Sequence, residues 1–227
     1  MDKNFKVRVI VGLSLFIVAL IALYTFDGVP FKILYGLFSL VAAVELLSFL
    51  KRRHSFDHVI LIIAELGFMF YGFLFINQID VAHFWYIILG VPGYDIFAYL
   101  CGKAIGGRFF KSRPFPKISK NKTWEGTILG LTIAIALVAI LMVARNAFST
   151  DWFYLFCGPL ALMGDLFESF LKRQFAVKDS NEILIKNKFF AKLELLVGGS
   201  EGHGGFLDRV DSTAFAAAIL LVISCFV

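Results

Sequence analysis

Long runs of apolar residues alternate with polar connections along the whole chain. A membrane-spanning helix needs about 20 predominantly apolar residues. Runs of roughly that length predict spans at 7–26, 31–50, 59–76, 81–101, 127–144, 152–171 and 212–227. Gly90, Pro92 and Gly93 predict a kink or break in the fourth span. The pattern predicts an all-α, polytopic membrane protein of about seven transmembrane helices.

Positive charges are concentrated in alternate connections. With seven spans, all of the 22 Lys and Arg residues except Lys32 and Arg145 fall on one side of the membrane. Because Lys and Arg mark the cytoplasmic side, we expect a cytoplasmic N-terminus and an external C-terminus. The polar segments 102–126 and 172–211 are then cytoplasmic, and chemistry is expected there. We divide the chain into N-terminal transmembrane helices, 1–80, and a catalytic transmembrane domain, 81–227, that carries both loops.

Composition agrees with a membrane protein, since 59% of the residues are hydrophobic and the mean hydropathy is +0.81. The net charge is +5, yet the basic residues flank apolar runs and no nucleic-acid-binding motif is present. Anionic lipid or phosphate is therefore the expected partner. Cys101, Cys157 and Cys225 are widely spaced and are interpreted as small hydrophobic residues.

Five carboxylates lie in or beside predicted spans, all near the cytoplasmic side: Glu45, Glu65, Asp95, Asp165 and Glu168. Placing a carboxylate inside a span costs about 2.5 to 3.5 kcal/mol on the insertion scale, so each is a functional hypothesis. We interpret Glu45 instead as an interfacial residue or a local ion pair, because Lys51, Arg52 and Arg53 follow it.

Two polar clusters lie at the cytoplasmic ends of the fifth and sixth spans. Asp165, Glu168, Ser169 and Lys172 have i, i+3, i+4, i+7 spacing and share one helical face. The alternative is an ordinary helix end, with Lys172 paired to Glu168. In KISKNKTWEG, the side chains of Lys117, Ser119, Lys122 and Thr123 are candidate phosphate contacts, although Thr123 and Glu125 also resemble a helix start.

The segment GHGGFLDRVD, 202–211, places Asp208 and Asp211 on either side of Arg209. Carboxylates of this kind suit Mg²⁺, which prefers oxygen ligands and substrate phosphates. The predicted Mg²⁺ ligands are Asp165, Asp179, Asp208 and Asp211. The competing interpretation makes Asp208 or Asp211 the N-cap of the last helix. His203, Gly204 and Gly205 form a candidate phosphate-binding loop.

These residues resemble the membrane phosphatidate cytidylyltransferases, or CDP-diacylglycerol synthases. The family pattern S-x-x-K-R, K-D and H-G-G-x-x-D-R-x-D is matched in order by Ser169, Lys172, Arg173, Lys178, Asp179, His203, Gly204, Gly205, Asp208, Arg209 and Asp211. Asp95 and the segment 117–126 are also similar to the family. The chain departs from the pattern in the long insertion 181–201, where Glu201 and Asn181 replace small residues. We expect residues 185–200 to form an added loop or amphipathic helix at the membrane surface.

The resemblance implies transfer of CMP from CTP to phosphatidic acid at a bacterial inner membrane. It also implies a homodimer that binds Mg²⁺ and has room for a second cation such as K⁺. It assigns catalysis to Asp165, Lys172, Arg173, Lys178, Asp179, Asp208, Arg209 and Asp211. It assigns substrate contacts to Lys117, Ser119, Lys122, Thr123, Ser169, His203, Gly204 and Gly205. Alternatives are a CTP-dependent transferase for a prenyl or ether lipid, a polyprenol kinase, or a membrane transporter.

Overall fold

The computed structural model describes residues 28–51, 55–177 and 206–226. These residues form six long helices: α1 Val29–Ser48, α2 Phe56–Gln78, α3 Val81–Ile105, α4 Trp124–Ala144, α5 Cys157–Gln174 and α6 Leu207–Ser224. A short helix Phe148–Asp151 and a 3₁₀ turn Trp152–Phe156 lead into α5, and a 3₁₀ turn Phe49–Lys51 follows α1.

Five of the predicted spans are confirmed as helices long and apolar enough to cross a membrane, so the chain is an integral membrane protein. The predicted span 7–26 lies outside the described residues. The expected seventh span differs from its prediction, because α6 begins at Leu207, within the polar segment. Its 18 residues include three charged ones, Asp208, Arg209 and Asp211, and it is not among the five candidate spans.

Polar residues at the helix starts explain where several helices begin. The Ser55 N–H donates to His58 Nδ1 at 3.0 Å ahead of α2, and Asp80 Oδ1 accepts the His83 N–H at 2.8 Å ahead of α3. Each cap satisfies N–H groups that the first helical turn leaves without an intrahelical partner.

The helix α3 continues through Pro92 without interruption, so the predicted break is absent.

Small residues bring the helices close together near the later site. A Cβ added to Gly130 of α4 would lie 2.7 Å from the Ala98 Cβ of α3, and one added to Gly126 would lie 2.5 Å from the Ala98 carbonyl oxygen. A Cβ on Gly164 of α5 would lie 2.9 Å from the Ser212 Cα of α6. Close backbone approach of this kind is typical of helix pairs in membranes.

The two ends of the helix bundle differ in charge. At one end, Asp80 and the buried Asp151 flank His83, with the His83 Nδ1 2.6 Å from Asp80 and the Nε2 3.5 Å from Asp151. Burial raises the pKa of Asp80, but hydrogen bonds from the His83 backbone and ring outweigh it and leave the pKa below its ordinary value. The other end, called the basic end here, carries the 103–122 segment and the ends of α5 and α6 that hold the candidate site.

Candidate active site at the basic end

The polar face of α5 forms one wall of the site. The structure confirms that Glu168 and Lys172 share this face, since Lys172 Nζ lies 2.8 Å from Glu168 Oε2. Asp165 lies one turn earlier and is half-buried, whereas Glu168 and Ser169 are buried. The helical spacing in the sequence therefore predicts correctly that Glu168 and Lys172 lie together.

Lys172 also joins α5 to α6. Its Nζ donates to Asp208 Oδ1 at 2.7 Å, although the two residues are 36 positions apart in the chain. The ammonium group thus contacts one carboxylate on each helix, and its side chain is only 12% exposed. A buried charge pair of this kind requires several compensating contacts, because both ions lose their hydration.

Three carboxylates converge beside this pair. One oxygen from each of Asp165, Glu168 and Asp211 lies within 4.8 Å of the other two. Glu168 is 1% exposed, and its Oε1 has no hydrogen-bond partner among the described residues. Oxygen donors with a buried, unpaired carboxylate oxygen fit a hard divalent cation such as Mg²⁺. We name Asp165, Glu168 and Asp211 the acid cluster.

The acid cluster overlaps the predicted Mg²⁺ ligands only in part. Asp165 and Asp211 belong to both sets, Asp208 bonds to Lys172, and Asp179 lies outside the described residues. Glu168 is absent from the predicted ligands because its i+4 spacing to Lys172 already explains it as an ion pair. Its i+3 spacing from Asp165 was the signal that could have identified it.

Lys122 contacts the acid cluster from the segment before α4. Its ammonium group forms an ion pair with Asp165 and lies 5.4 Å from the centre of the Tyr94 ring. Burial lowers the pKa of Lys122, but the negative charge of Asp165 outweighs this effect and raises the pKa above its ordinary value. Lys122 therefore stays cationic at neutral pH.

A polar cavity of about 550 Å³ opens next to Lys122 and Asp165. Helices α3 and α4 and the segment between them provide most of its walls, including Asp95, Arg113, Ser119 and Thr123. A cavity in this size range accommodates a drug-sized polar ligand. The cavity therefore joins acidic and basic groups in a space that a phosphate-bearing substrate could enter.

The segment between α3 and α4 is held by hydrogen bonds to α4 and α5. Glu125 Oε1 accepts the N–H groups of Phe109 and Phe110, each at 2.9 Å. Thr123 Oγ1 accepts the Gly126 N–H at 3.1 Å, which confirms that Thr123 is the N-cap of α4. Arg173 Nε donates to the Ile118 carbonyl at 3.4 Å. Thr123 therefore both caps a helix and lines the cavity.

The beginning of α6 is capped from α1. Glu45 is 3% exposed, and its Oε1 and Oε2 accept the N–H groups of Phe206 and Leu207 at 3.1 and 2.9 Å. The prediction that Asp208 or Asp211 is the N-cap is wrong, because both lie inside α6. The interpretation of Glu45 as an interfacial charge missed this role, which links residues 161 positions apart.

The remaining predicted site residues differ in their placement. Ser119 lines the cavity, Lys117 is exposed and Ser169 is buried. Arg209 is exposed and its guanidinium lies 5.8 Å from the Phe206 ring centre. Lys178, Asp179, His203, Gly204 and Gly205 lie outside the described residues, so their roles stay predictions.

Comparison with known proteins gives one family match. Residues 59–185 match the sequence profile described as "Cytidylyltransferase family". This segment contains α3 to α5, all of α2 except its first three residues, and the cavity-lining residues between these helices, but neither α1 nor α6.

Several bacterial proteins named phosphatidate cytidylyltransferase are similar to the chain. The Brucella abortus protein is 40% identical over 129 residues, which are 56% of this chain and 40% of that protein. The Helicobacter pylori J99 protein is 30% identical over 227 residues, covering 99% of this chain and 76% of the relative. The Bacillus subtilis protein is 31% identical over 205 residues, covering 86% and 68%. The Brucella match thus spans less than half of the relative's length.

Proposed function

The chain belongs to the cytidylyltransferase family, and we propose that it transfers CMP from CTP to phosphatidic acid. The products are CDP-diacylglycerol and pyrophosphate. The observation that carries this proposal is the polar cavity beside the acid cluster, at the basic end of a membrane-embedded bundle. The names of the relatives supply the substrate class.

The reaction requires positioning and charge neutralisation and needs no covalent enzyme intermediate. A phosphate oxygen of phosphatidic acid attacks the α-phosphorus of CTP, and the bond from that phosphorus to the bridging β-phosphate oxygen breaks. Pyrophosphate leaves with the electron pair of that bond. Two anions must therefore approach each other, and holding them in line supplies much of the rate enhancement.

The described residues can meet these requirements. Lys122 and Arg113 line the cavity and would attract phosphate oxygens. Lys172 would hold Glu168 and Asp208 in fixed positions. Asp165, Glu168 and Asp211 would hold Mg²⁺, which when bound offsets phosphate charge. We further propose that the basic end faces the cytoplasm, where CTP is available.

Labelled CTP tests the proposed reaction. In parallel assays, purified protein in detergent micelles with phosphatidic acid or with a polyprenol would receive CTP labelled at either the α- or the γ-phosphorus. We expect the α-label to enter the lipid fraction and the γ-label to leave as pyrophosphate. Entry of the γ-label into a lipid alcohol would identify a kinase instead. No lipid label from either CTP would refute both transferase functions.

Replacing Asp208 by asparagine tests the site. We expect Asp208→Asn to abolish Mg²⁺-dependent turnover while the protein still inserts into the membrane, because Asp208 would no longer balance the charge of Lys172 beside the acid cluster. Asp57→Asn is a matched control, because Asp57 is an exposed acid in the first turn of α2. If Asp208→Asn turned over like wild type across a Mg²⁺ titration, the proposed role of Asp208 in the active site would be contradicted.

A further inference from the structure

Glu45 is a buried carboxylate that lies outside the cavity and outside the segment matched by the family profile. Its two oxygens accept the N–H groups of two consecutive residues, Phe206 and Leu207. The next residue in the chain is Asp208, which bonds to Lys172. The backbone N–H groups that Glu45 bonds therefore lie immediately before Asp208, a residue of the candidate site.

We propose that Glu45 is a positioning residue, which fixes the first turn of α6 so that Asp208 and Asp211 face α5. The proposal rests on the proposed function for the meaning of activity. Its physical basis is geometric, since bonding two successive N–H groups restrains both the height of the helix and its rotation about its axis. A shift or rotation would move Asp208 away from Lys172 and Asp211 away from the acid cluster.

The charge of Glu45 suits this position. A helix N-terminus carries partial positive charge and several N–H groups without intrahelical partners. A carboxylate satisfies both more strongly than a neutral group, because charge-assisted hydrogen bonds are shorter and stronger than neutral ones. Since α6 has Phe206 at its N-cap position and no side-chain bond from that residue, the cap comes from α1.

Lys32 provides a matched control on the same helix. At the opposite end of α1, Lys32 Nζ donates to the carbonyl groups of Asn77 and Ile79 at 3.2 and 2.8 Å. It thus caps the C-terminus of α2, far from the cavity. Lys32→Met and Glu45→Gln each remove one charged cap supplied by α1, but only Glu45 contacts the helix that carries Asp208 and Asp211.

The first experiment compares steady-state kinetics of these variants. A displacement of about 1 Å at a reacting centre can lower the rate about 100-fold. We expect Glu45→Gln to lower kcat by about 10- to 100-fold and to raise the Mg²⁺ concentration for half-maximal activity. Glu45→Leu, whose side chain has no hydrogen-bond acceptor, should lower kcat further than Glu45→Gln does. Lys32→Met should lower the thermal midpoint while leaving kcat and the Mg²⁺ dependence unchanged.

The second experiment does not use activity. Protection against thermal unfolding by Mn²⁺, measured on detergent-purified protein, reports the cation affinity of the folded state. We expect Glu45→Gln to require a higher Mn²⁺ concentration for protection than wild type and Lys32→Met. Normal protection and normal kcat in Glu45→Gln would overturn the proposal, as would equal kinetic losses in both variants. If wild type transfers no label from CTP, the proposed reaction fails, but the Mn²⁺ comparison still decides the role of Glu45.

Discussion

Replacing Lys172 by methionine removes the ammonium group that bonds Glu168 and Asp208 but retains an unbranched side chain of similar length. The two nitrogen–oxygen distances are 2.8 and 2.7 Å, and Glu168 is buried. The variant leaves both carboxylates beside Asp165 and Asp211 without this compensating charge. Removing one partner of a buried ion pair costs about 3 to 5 kcal/mol of folding free energy.

We expect this loss to appear as a lower unfolding temperature in detergent without divalent cations. For a domain of this size, about 3 to 5 kcal/mol corresponds to a decrease of roughly 6 to 20 °C. Mg²⁺ should stabilise Lys172→Met more than wild type, because the cation would replace the lost positive charge near the acid cluster. Lys103→Met is the control, since Lys103 is exposed and lies 5.8 Å from the Tyr99 ring centre.

A double-mutant cycle separates the ion pair from general disruption. Asp208→Asn removes one of the two charges that Lys172 offsets. It should therefore lower the free energy of unfolding less in Lys172→Met than in wild type. We expect a coupling free energy of about 0.5 to 3 kcal/mol, as for contacting residues. Strict additivity would refute the reasoning, as would a Lys172→Met unfolding temperature equal to that of Lys103→Met.

Three further predictions follow from the site's surroundings. Gly130→Ala should lower the unfolding temperature and the rate of CMP transfer by separating α3 from α4; Gly67→Ala, where an added Cβ meets no atom within 4 Å, should be neutral or slightly stabilising. Because the folded-state pKa of Lys122 is raised, its stabilisation is fully present below the ordinary lysine pKa of about 10.4 and is lost as pH rises through the folded value. The destabilisation by Lys122→Met should hence be constant from neutral pH to about pH 10 and smaller above it, and a decline near neutrality would contradict it. Glu125→Ala should accelerate tryptic cleavage at 108–111, measured by mass spectrometry, because two backbone N–H groups lose their acceptor.

The existence of the helices follows from the sequence, whereas several boundaries do not. Apolar run length predicts α1 to α5 well, but it starts the last helix at Ser212 because the preceding residues are charged. In the structure those charges occupy the first turns of α6, where Asp208 bonds to Lys172 of α5 and Asp211 lies beside Asp165 and Glu168. The 3₁₀ turn before Cys157 was also missed, because its apolar residues are indistinguishable from those of a helix by hydropathy.

The site was predictable where its residues are close in sequence. Helical periodicity predicts the shared face of Glu168 and Lys172, and the helix-start pattern predicts Thr123 as a cap. The Lys172–Asp208 and Lys122–Asp165 pairs depend on how three helices pack, and no local pattern encodes that packing. Residue type identified these charges as important without identifying their partners.

The charged residues of α1 illustrate why burial inside a membrane protein has more than one physical explanation. Glu45 meets the N-terminus of α6, and Lys32 meets the C-terminus of α2, so each charge faces the helix end of opposite partial charge. Helix ends within a bundle need such partners, because hydrocarbon cannot supply hydrogen bonds. An intramembrane charge is thus stabilised by a helix terminus as readily as by a substrate. Glu45 is stabilised by a helix terminus, yet it also bears on the candidate site, because the helix that it caps carries Asp208 and Asp211.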